Sequence, residues 1–280
     1  MHRIVSKKEL APKIKLLEIE APEVANKAQA GQFVILRIDK KGERFPLTIV
    51  DWNREKGTIM LIFLEIGVST ERLGSLRVQD EIMDVIGPLG NPSEIADFGS
   101  VCIIGGGVGT ASAYPIARAF KEAGNKVVSI VGAKTAGLLI LEHEMSNVSD
   151  ELLISTDDGT KGQRGFVSDV LKGLIQKGYA FNVVYAIGPT VMMRAVAETT
   201  RPFGIKTIVS LNPIMVDGMG MCGACRVSVG GATRFACVDG PEFDAHKVDF
   251  GELLKRQMAY VTEEKMALQR LQERKCTHAE

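Results

Sequence analysis

The apolar positions of this 280-residue chain change rhythm along its length. Up to about residue 97 they come in short β-branched or alternating runs, at 13–19, 32–38, 47–51, 58–66 and 81–86, separated by Gly, Pro, Asn and Asp. Alternation of period two buries one face of each strand, and the regular turn signals between runs predict a small antiparallel barrel. The rhythm then changes. Residues 101–104 form an apolar run that enters Gly105-Gly106-Gly107-Val108-Gly109, followed by a helical stretch over 110–124. Strand-like runs at 127–131, 151–155 and 182–187 alternate with helix-like runs at 167–177 and 191–199. Such alternation predicts a parallel sheet with helices on both faces. Residues 212–249 break the alternation and hold a cysteine cluster, and over 250–272 Leu254, Met258, Val261 and Leu268 recur at helical spacing. The expected fold class is α/β plus a β-barrel, divided at 1–97, 98–210, 211–250 and a helical tail over 251–280.

Composition narrows the function classes. Lys+Arg and Asp+Glu are 34 each, so the net charge is +0, and the basic surplus of a nucleic-acid or anionic-membrane binder is missing. Residues 98–117 carry no formal charge, but their glycines and Pro115 read as strand, loop and helix rather than as a membrane span. The charged stretch 1–10 lacks a signal-peptide core, which places the chain in the cytoplasm as an expectation. Five cysteines, at 102, 222, 225, 237 and 276, are an odd number with three crowded together. That pattern suits metal chemistry in a reducing compartment better than a disulfide framework.

The crowded cysteines read Asp217-x4-Cys222-x2-Cys225-x11-Cys237. Plant-type 2Fe–2S proteins use C-x4-C-x2-C…C, so Asp217 occupies the first ligand position. Gly218, Gly220 and Gly223 let backbone N–H groups come close to the cluster sulfurs. A carboxylate is a harder ligand for iron than a thiolate but a competent one. Cys276 is the other candidate for the fourth ligand, chemically apt but far along the chain. Two further readings of the same residues stay open. One is a zinc site using Cys222, Cys225, Cys237 and His246 or Asp217, although zinc ribbons bring a second C-x-x-C that is absent here. The other is a set of buried, unreactive cysteines.

The glycine run at 105–109 follows a strand and opens a helix, where backbone amides and the helix dipole receive a diphosphate. The strict G-x-G-x-x-G spacing fails, and Gly132-Ala133-Lys134 stands where an acidic ribose-binding residue is expected. A tight turn with no ligand is therefore the competing reading. Ala186-Ile187-Gly188-Pro189, beside Met192 and Met193, ends a second strand. Ligands of open α/β sheets bind outside the carboxyl ends of strands, so both loops should share one edge. Lys134 near the ribose region suits a 2′-phosphate, which leaves NAD against NADP undecided by residues alone.

In the first half, Arg44-Phe45-Pro46-Leu47-Thr48 lies downstream of Ala30-Gly31-Gln32-Phe33, with Gly67-Val68-Ser69-Thr70 and Gly87-Pro88-Leu89-Gly90 beyond it. Together with the glycine loop and Gly188-Pro189-x2-Met192, these motifs resemble those of the ferredoxin reductase superfamily. With the cysteine segment included, residues 13–249 resemble two families. These are the electron-transfer subunits of dihydroorotate dehydrogenases and, more closely, the small (alpha) subunits of NADH-dependent ferredoxin:NADP oxidoreductases, also known as sulfide dehydrogenases. Dihydroorotate-type subunits carry a cysteine where this chain has Asp217.

The resemblance implies an FAD-binding barrel, an NAD(H)-binding domain and a 2Fe–2S domain. It places FAD against Arg44, Pro46, Leu47, Thr48, Leu64, Gly67, Ser69 and Thr70. It places NAD against Gly106, Gly107, Gly109, Thr110, Asp157, Gly188, Pro189 and Met192, and the metal on Asp217, Cys222, Cys225 and Cys237. It further implies hydride exchange with NAD(H), transfer of single electrons to a larger partner subunit bearing its own flavin and 4Fe–4S clusters, and reaction with ferredoxin and NADP in the complex. No His/Ser/Asp constellation for acid–base catalysis appears, and neither electron-transfer step needs one. Beside this stand a dihydroorotate dehydrogenase-type subunit, a stand-alone NAD(P)H:acceptor or sulfide oxidoreductase, and a zinc-containing interaction module. For single residues the plain readings are a solvated Arg44, a turn at Asp157-Asp158-Gly159 and a packed Cys102.

Overall fold

A computed structural model describes residues 1–277, with side chains through residue 273. The first sheet contains β1 (His2–Ala11), β2 (Ile14–Glu20), β3 (Phe33–Arg37), β4 (Phe45–Asn53), β5 (Thr58–Leu64), β6 (Glu81–Ile82) and β7 (Asp84–Leu89). Their order is β6-β1-β2-β5-β4-β3-β7, with every pairing antiparallel. The two edge strands β6 and β7 are separated in sequence by Met83 alone, so the sheet must curl until its edges nearly meet. Leu17, Ile19, Val34, Leu36, Ile49, Ile59 and Leu61 fill its interior. Short helix α1 (Pro22–Ala25) and α2 (Val68–Ser75) decorate this barrel.

Strand β1 is absent from the sequence expectation. Lys7, Lys8 and Glu9 interrupt its alternation, and register shifts at Ile4/Ser6 and Glu9/Ala11 break period two. Only Ile4 and Ala11 of this strand are buried.

The second sheet runs β11-β10-β9-β8-β12-β13-β16, from β8 (Ser100–Gly106), β9 (Lys126–Ala133), β10 (Glu151–Thr156), β11 (Gln163–Arg164), β12 (Val183–Ile187), β13 (Lys206–Ser210) and β16 (Glu242–Asp244). All its pairs are parallel except β13 with β16. Helices α3 (Gly109–Glu122) and α4 (Glu142–Asn147) pack on one face through Ile116, Phe120 and Met145. Helices α5 (Val167–Gln176), α6 (Thr190–Thr200) and α7 (Phe250–Gln257) cover the other. The strand order reverses between β8 and β12, and that switch point opens a crevice at the carboxyl ends of both strands.

Between the two sheets, Ala11, Ile14, Val50 and Ile62 of the barrel meet Ala111 and Ile140. Arg118 of α3 also pairs with Asp51 of β4 at 2.8 Å, its guanidinium 5.3 Å from the Trp52 ring. The hairpin β14 (Arg226–Val229) and β15 (Ala232–Phe235) turns through Gly230-Gly231, both at positive φ, as a two-residue hairpin loop requires.

The tail corrects the single helix expected over 250–272. It comprises α7, a turn at 258–260 and α8 (Val261–Thr277), which approaches α2 on the barrel. Phe250 and Leu253, not Leu254, are the buried residues of α7, and Met258 is 65% exposed. The spacing that links Leu254, Met258 and Val261 crosses the break, so it marks no common face.

Candidate functional site

The crevice between β8 and β12 is built by backbone meeting backbone. A Cβ on Gly109 would lie 2.4 Å from the Ile187 carbonyl oxygen, and one on Gly106 would lie 2.3 Å from Met192 Sδ. Gly188 stands against the Gly106 carbonyl in the same way. The loop at 105–109 and the Gly188-Pro189 turn therefore interlock on one edge, as their positions after parallel strands required. Met192 is half-buried against this contact, and Met193 is a core residue. Gly107 differs from its neighbours: its φ is +56° and nothing lies within 4 Å of its Cβ position. Thr110 Oγ1 is buried and has no hydrogen-bond partner among the described residues. The open backbone at Gly107, the N-terminus of α3 and this unpaired hydroxyl fit a diphosphate.

Asp157 is exposed at the end of β10, and its amide donates to Ala133 O at 3.1 Å. The neighbouring Asp158 makes the turn, accepting from the Thr160 amide and hydroxyl at 3.0 and 2.7 Å. Those donors hold its carboxyl below the usual carboxylate range.

On the barrel, Arg44 is exposed immediately before β4, while Pro46, Leu47 and Thr48 lie within the strand. Phe45 and Leu47 pack on the barrel core, which leaves Pro46 and Thr48 on the opposite face. Leu64 ends β5 and packs in the apolar cluster between barrel and α/β sheet. Gly67 precedes α2 in extended backbone with open space at its Cβ position. Thr70 Oγ1 accepts from the Ile66 and Gly67 amides, both at 3.1 Å, and Ser69 Oγ donates to Glu43 Oε2 at 2.8 Å. This last bond ties the turn to the residue preceding Arg44. Pro46 and Thr48 on the outer face, the open backbone at Gly67 and the N-terminus of α2, tied through Ser69 to Glu43 beside the exposed Arg44, fit a flavin dinucleotide.

The cysteine loop packs on the outside of the same barrel. Phe33 and Ile35 of β3 form a small core with Met215, Cys225, Ala236 and Cys237. Gly218 has φ +73°, and a Cβ there would lie 2.7 Å from Leu89 Cδ1 and 2.8 Å from Ile35 Cγ1. Cys225 and Cys237 are buried, free thiols with sulfurs 3.2 Å apart. Burial first, and then the adjacent Cys225, push the Cys237 thiol upwards. Cys222 is exposed, and its amide donates to Asp217 Oδ2 at 2.6 Å while the Met219 amide donates to Oδ1 at 2.8 Å. Those amides, Met219 foremost, hold the Asp217 carboxyl low.

Among the described residues no three His, Cys, Asp or Glu side chains converge as a single-ion site. The donors stand as two pairs, Asp217 with Cys222 and Cys225 with Cys237, and three thiols paired with one harder carboxylate fit a binuclear iron–sulfur cluster better than one tetrahedral ion. His246 is bonded elsewhere, to Thr200 Oγ1 at 3.0 Å. The side chain of Cys276 and all of His278 lie outside the described residues. Cys102 is fully buried, with its thiol pushed far up by desolvation.

Comparison with known proteins agrees with this layout. The iron–sulfur cluster binding domain family of dihydroorotate dehydrogenase B matches residues 212–249. A Thermotoga maritima homolog of the dihydroorotate dehydrogenase B (NAD(+)) electron transfer subunit is 47% identical over 270 residues, covering 96% of this chain and 95% of its own length. The chain belongs to the dihydroorotate dehydrogenase B electron transfer subunit family. The Geobacillus thermodenitrificans member is 33% identical, covering 88% of this chain and 96% of its own length. A solved NADH-dependent reduced ferredoxin–NADP oxidoreductase, studied for flavin-based electron bifurcation, contains a chain 46% identical to this one. That likeness has a TM-score of 0.92 and covers 97% of this chain and 98% of the other. A ferredoxin NADP+ reductase from Neisseria gonorrhoeae, at 18% identity and TM-score 0.61 over 72% and 90% of the two chains, shows the fold alone. The family member described here is accordingly an electron-transfer oxidoreductase subunit working with FAD, a 2Fe–2S cluster and NAD(H). No helix among the described residues is long and apolar enough to cross a membrane.

Two residues of functional interest escaped sequence reasoning, Arg256 and Glu242. Arg256 reaches the Ala224 carbonyl at 3.1 Å, and Glu242 accepts from Ser93 Oγ at 2.6 Å. Both contacts span distant segments, and no local motif announces either.

Proposed function

We propose that this chain exchanges hydride with NAD(H) at the crevice and passes single electrons through its cluster loop to a larger partner subunit. That partner would bear its own flavin and 4Fe–4S clusters and would complete a bifurcating reaction with ferredoxin and NADP in the cytoplasm. In this reading residues 1–97 hold FAD, 98–210 hold NAD(H), 211–250 hold the cluster and 251–280 dock.

One observation carries the reading. Ile35 of β3 pairs with Pro46 of β4 and also abuts the backbone of Gly218, next to Asp217. The FAD-binding motif on β4 and the cluster loop therefore border the same strand, β3, from two sides, which supports a direct path between the two cofactors.

A bound flavin supplies the change from two-electron exchange with nicotinamide to one-electron exchange with iron–sulfur. The chain's own residues bind and orient. Arg44 offers a guanidinium fork to the diphosphate, and Pro46 and Thr48 present a flat, half-buried face beside it. Gly106, Gly107, Gly109 and Thr110 receive the nicotinamide dinucleotide's diphosphate, with Gly188, Pro189 and Met192 closing the nicotinamide side and Asp157 near a ribose. Asp217, Cys222, Cys225 and Cys237 would hold the 2Fe–2S cluster, which would supply one-electron transfer. The solved likeness of 46% identity and the cluster-domain match support this assignment.

The test is anaerobic purification from the native host. Flavin absorption with a broad iron–sulfur shoulder, stoichiometric iron and acid-labile sulfide, and a co-purifying larger flavoprotein are expected. A colourless, zinc-loaded chain would overturn the reading, whereas a coloured chain isolated alone would turn it into a stand-alone oxidoreductase.

A further inference from the structure

The turn between Cys222 and Cys225 is gripped from outside by two arginines. Arg226 Nη1 donates to the Gly223 carbonyl and Arg256 Nη2 to the Ala224 carbonyl, each at 3.1 Å. A trans peptide points its N–H opposite to its C=O, so both contacts turn the Ala224 and Cys225 amides away from the arginines and into the loop.

The two arginines differ in setting. Arg226 is exposed. Arg256 is half-buried, and its Nε is shielded from solvent with no hydrogen-bond partner among the described residues. It projects from α7, which is anchored in the core through Phe250 and Leu253 and capped by Asp249, whose Oδ1 accepts from the Glu252 amide at 2.9 Å. A shielded N–H donor without a partner is costly in a folded protein and calls for an acceptor. The same guanidinium reaches, through Nη2, the loop whose proposed ligand set is anionic. A guanidinium remains charged at any accessible pH, and solvent screens a shielded charge less than an exposed one.

We propose that Arg256 is a positioning residue for the 2Fe–2S cluster: it clamps the Ala224 carbonyl and supplies the shielded positive charge that raises the cluster's reduction potential. Arg226 is its weaker, solvent-exposed counterpart. The proposal rests on the reading that Asp217, Cys222, Cys225 and Cys237 hold the cluster. One-electron reduction adds one negative charge to the cluster without making or breaking a bond, and a nearby fixed cation stabilises the reduced form.

The test is a reductive titration of the anaerobic, flavin- and iron-loaded full chain, with dithionite as electron donor and the reduced cluster followed by electron paramagnetic resonance. Wild type is compared with R256Q, R256M, R256K and R226Q. Met keeps the packing of the arginine stem, so it offers a second neutral variant if Gln disturbs the fold. Both neutral variants should show a midpoint more negative than wild type, R256K should recover part of the shift, and R226Q should move least. A loaded neutral variant with the wild-type midpoint overturns the proposal, as does an R226Q shift equal to that of R256Q. Iron lost from both neutral variants but kept in R256K, with flavin retained, supports the clamp. Iron lost from all three overturns it in favour of simple packing. Wild-type protein without iron or sulfide would instead overturn the cluster reading itself, so the two failures are distinguishable.

Discussion

Two glycine-rich loops carry the proposed binding sites of this chain, and their glycines are constrained differently. In the loop after β8, Gly106 and Gly109 are required by neighbouring protein: any Cβ would strike Met192 or the Ile187 carbonyl. In the cluster loop, Gly218, Gly220 and Gly223 all take positive φ, between +65° and +81°, and Gly223 has only Phe235 at 3.7 Å from its Cβ position. The first loop is part of the packing that joins β8, α3 and the Gly188-Pro189 turn. The second is a positive-φ backbone, closed by packing at Gly218 against Leu89 and Ile35 but open at Gly223, held on a small core of Phe33, Ile35, Met215, Cys225, Ala236 and Cys237. Damage to the first should therefore spread through the α/β sheet, and damage to the second should stay local.

The sharpest way to break this contrast is Gly109→Ala. Its methyl would sit 2.4 Å from Ile187 O and 2.7 Å from Gly188 Cα, both backbone atoms that cannot rotate away. Overpacking of this kind costs roughly 1–3 kcal/mol and more where the backbone must move, so a loss of about 3 kcal/mol in urea unfolding is expected. NADH binding should fall with it. Wild-type stability in this variant would mean that the interlock is not a packing constraint.

The next effect belongs to the point where barrel, linker and cluster segment meet. Glu242 of β16 accepts from Ser93 Oγ, and Gly31 at φ +85° leaves room for that pair. The residue keeps some exposed surface, but its carboxyl is shielded, facing Ser93 with Tyr185 and Glu94 nearby. Burial raises its pKa from 4.5 to about 7, against a smaller opposing effect of the Ser93 hydrogen bond. Below pH 4.5 the group is neutral in folded and unfolded chains alike. Between 4.5 and 7 the unfolded chain releases its proton and the folded chain keeps it, so stability falls as pH rises and levels off above 7. Glu242→Gln should remove that slope, worth roughly 2 kcal/mol between pH 5 and pH 8. Parallel pH–stability curves for the two proteins would refute the shielded carboxyl.

A smaller change, Cys237→Ser, tests whether damage to the cluster loop stays local. A buried hydroxyl in place of the thiol costs about 1–2 kcal/mol, and iron content should drop to near zero. Flavin stoichiometry and NADH affinity should stay within two-fold of wild type. Loss of NADH binding in step with iron would show that the two loops are not independent.

Much of this was legible in the sequence because it was local. A strand running into glycines and then a helix, an Arg-x-Pro strand and a C-x2-C turn each declare themselves within a few residues. The barrel strands around Ile35 and Ile59 were readable because each is a near-continuous apolar run, buried on both faces and bounded by turn residues. Strand β1 was not, since Lys7-Lys8-Glu9 break its apolar pattern, Lys7 being half-buried with its ammonium on the Leu76 carbonyl, and bulges shift its register. The tail was misread because helical spacing says nothing about a turn inserted at 258–260. The contacts of Arg256 with Ala224 and Glu242 with Ser93 join residues 32 and 149 positions apart, beyond any local pattern.

The finest separation of the two loops comes from a pair of substitutions that cost the fold equally little. Gly107 at φ +56° and Gly223 at φ +65° both stand clear of neighbouring atoms. Placing Ala in left-handed backbone costs about 1 kcal/mol at either site, so urea midpoints of Gly107→Ala and Gly223→Ala should fall slightly and by similar amounts. Their ligand effects should be opposite. The Gly107 methyl would occupy the open space at the proposed diphosphate site, so NADH affinity should fall at least about ten-fold with iron content unchanged, the equivalent of 1.4 kcal/mol. The Gly223 methyl should alter the resonance signature or occupancy of the cluster and leave NADH titrations as in wild type. If instead both variants weakened NADH binding alike, the crevice and the cluster loop would share one mechanical unit.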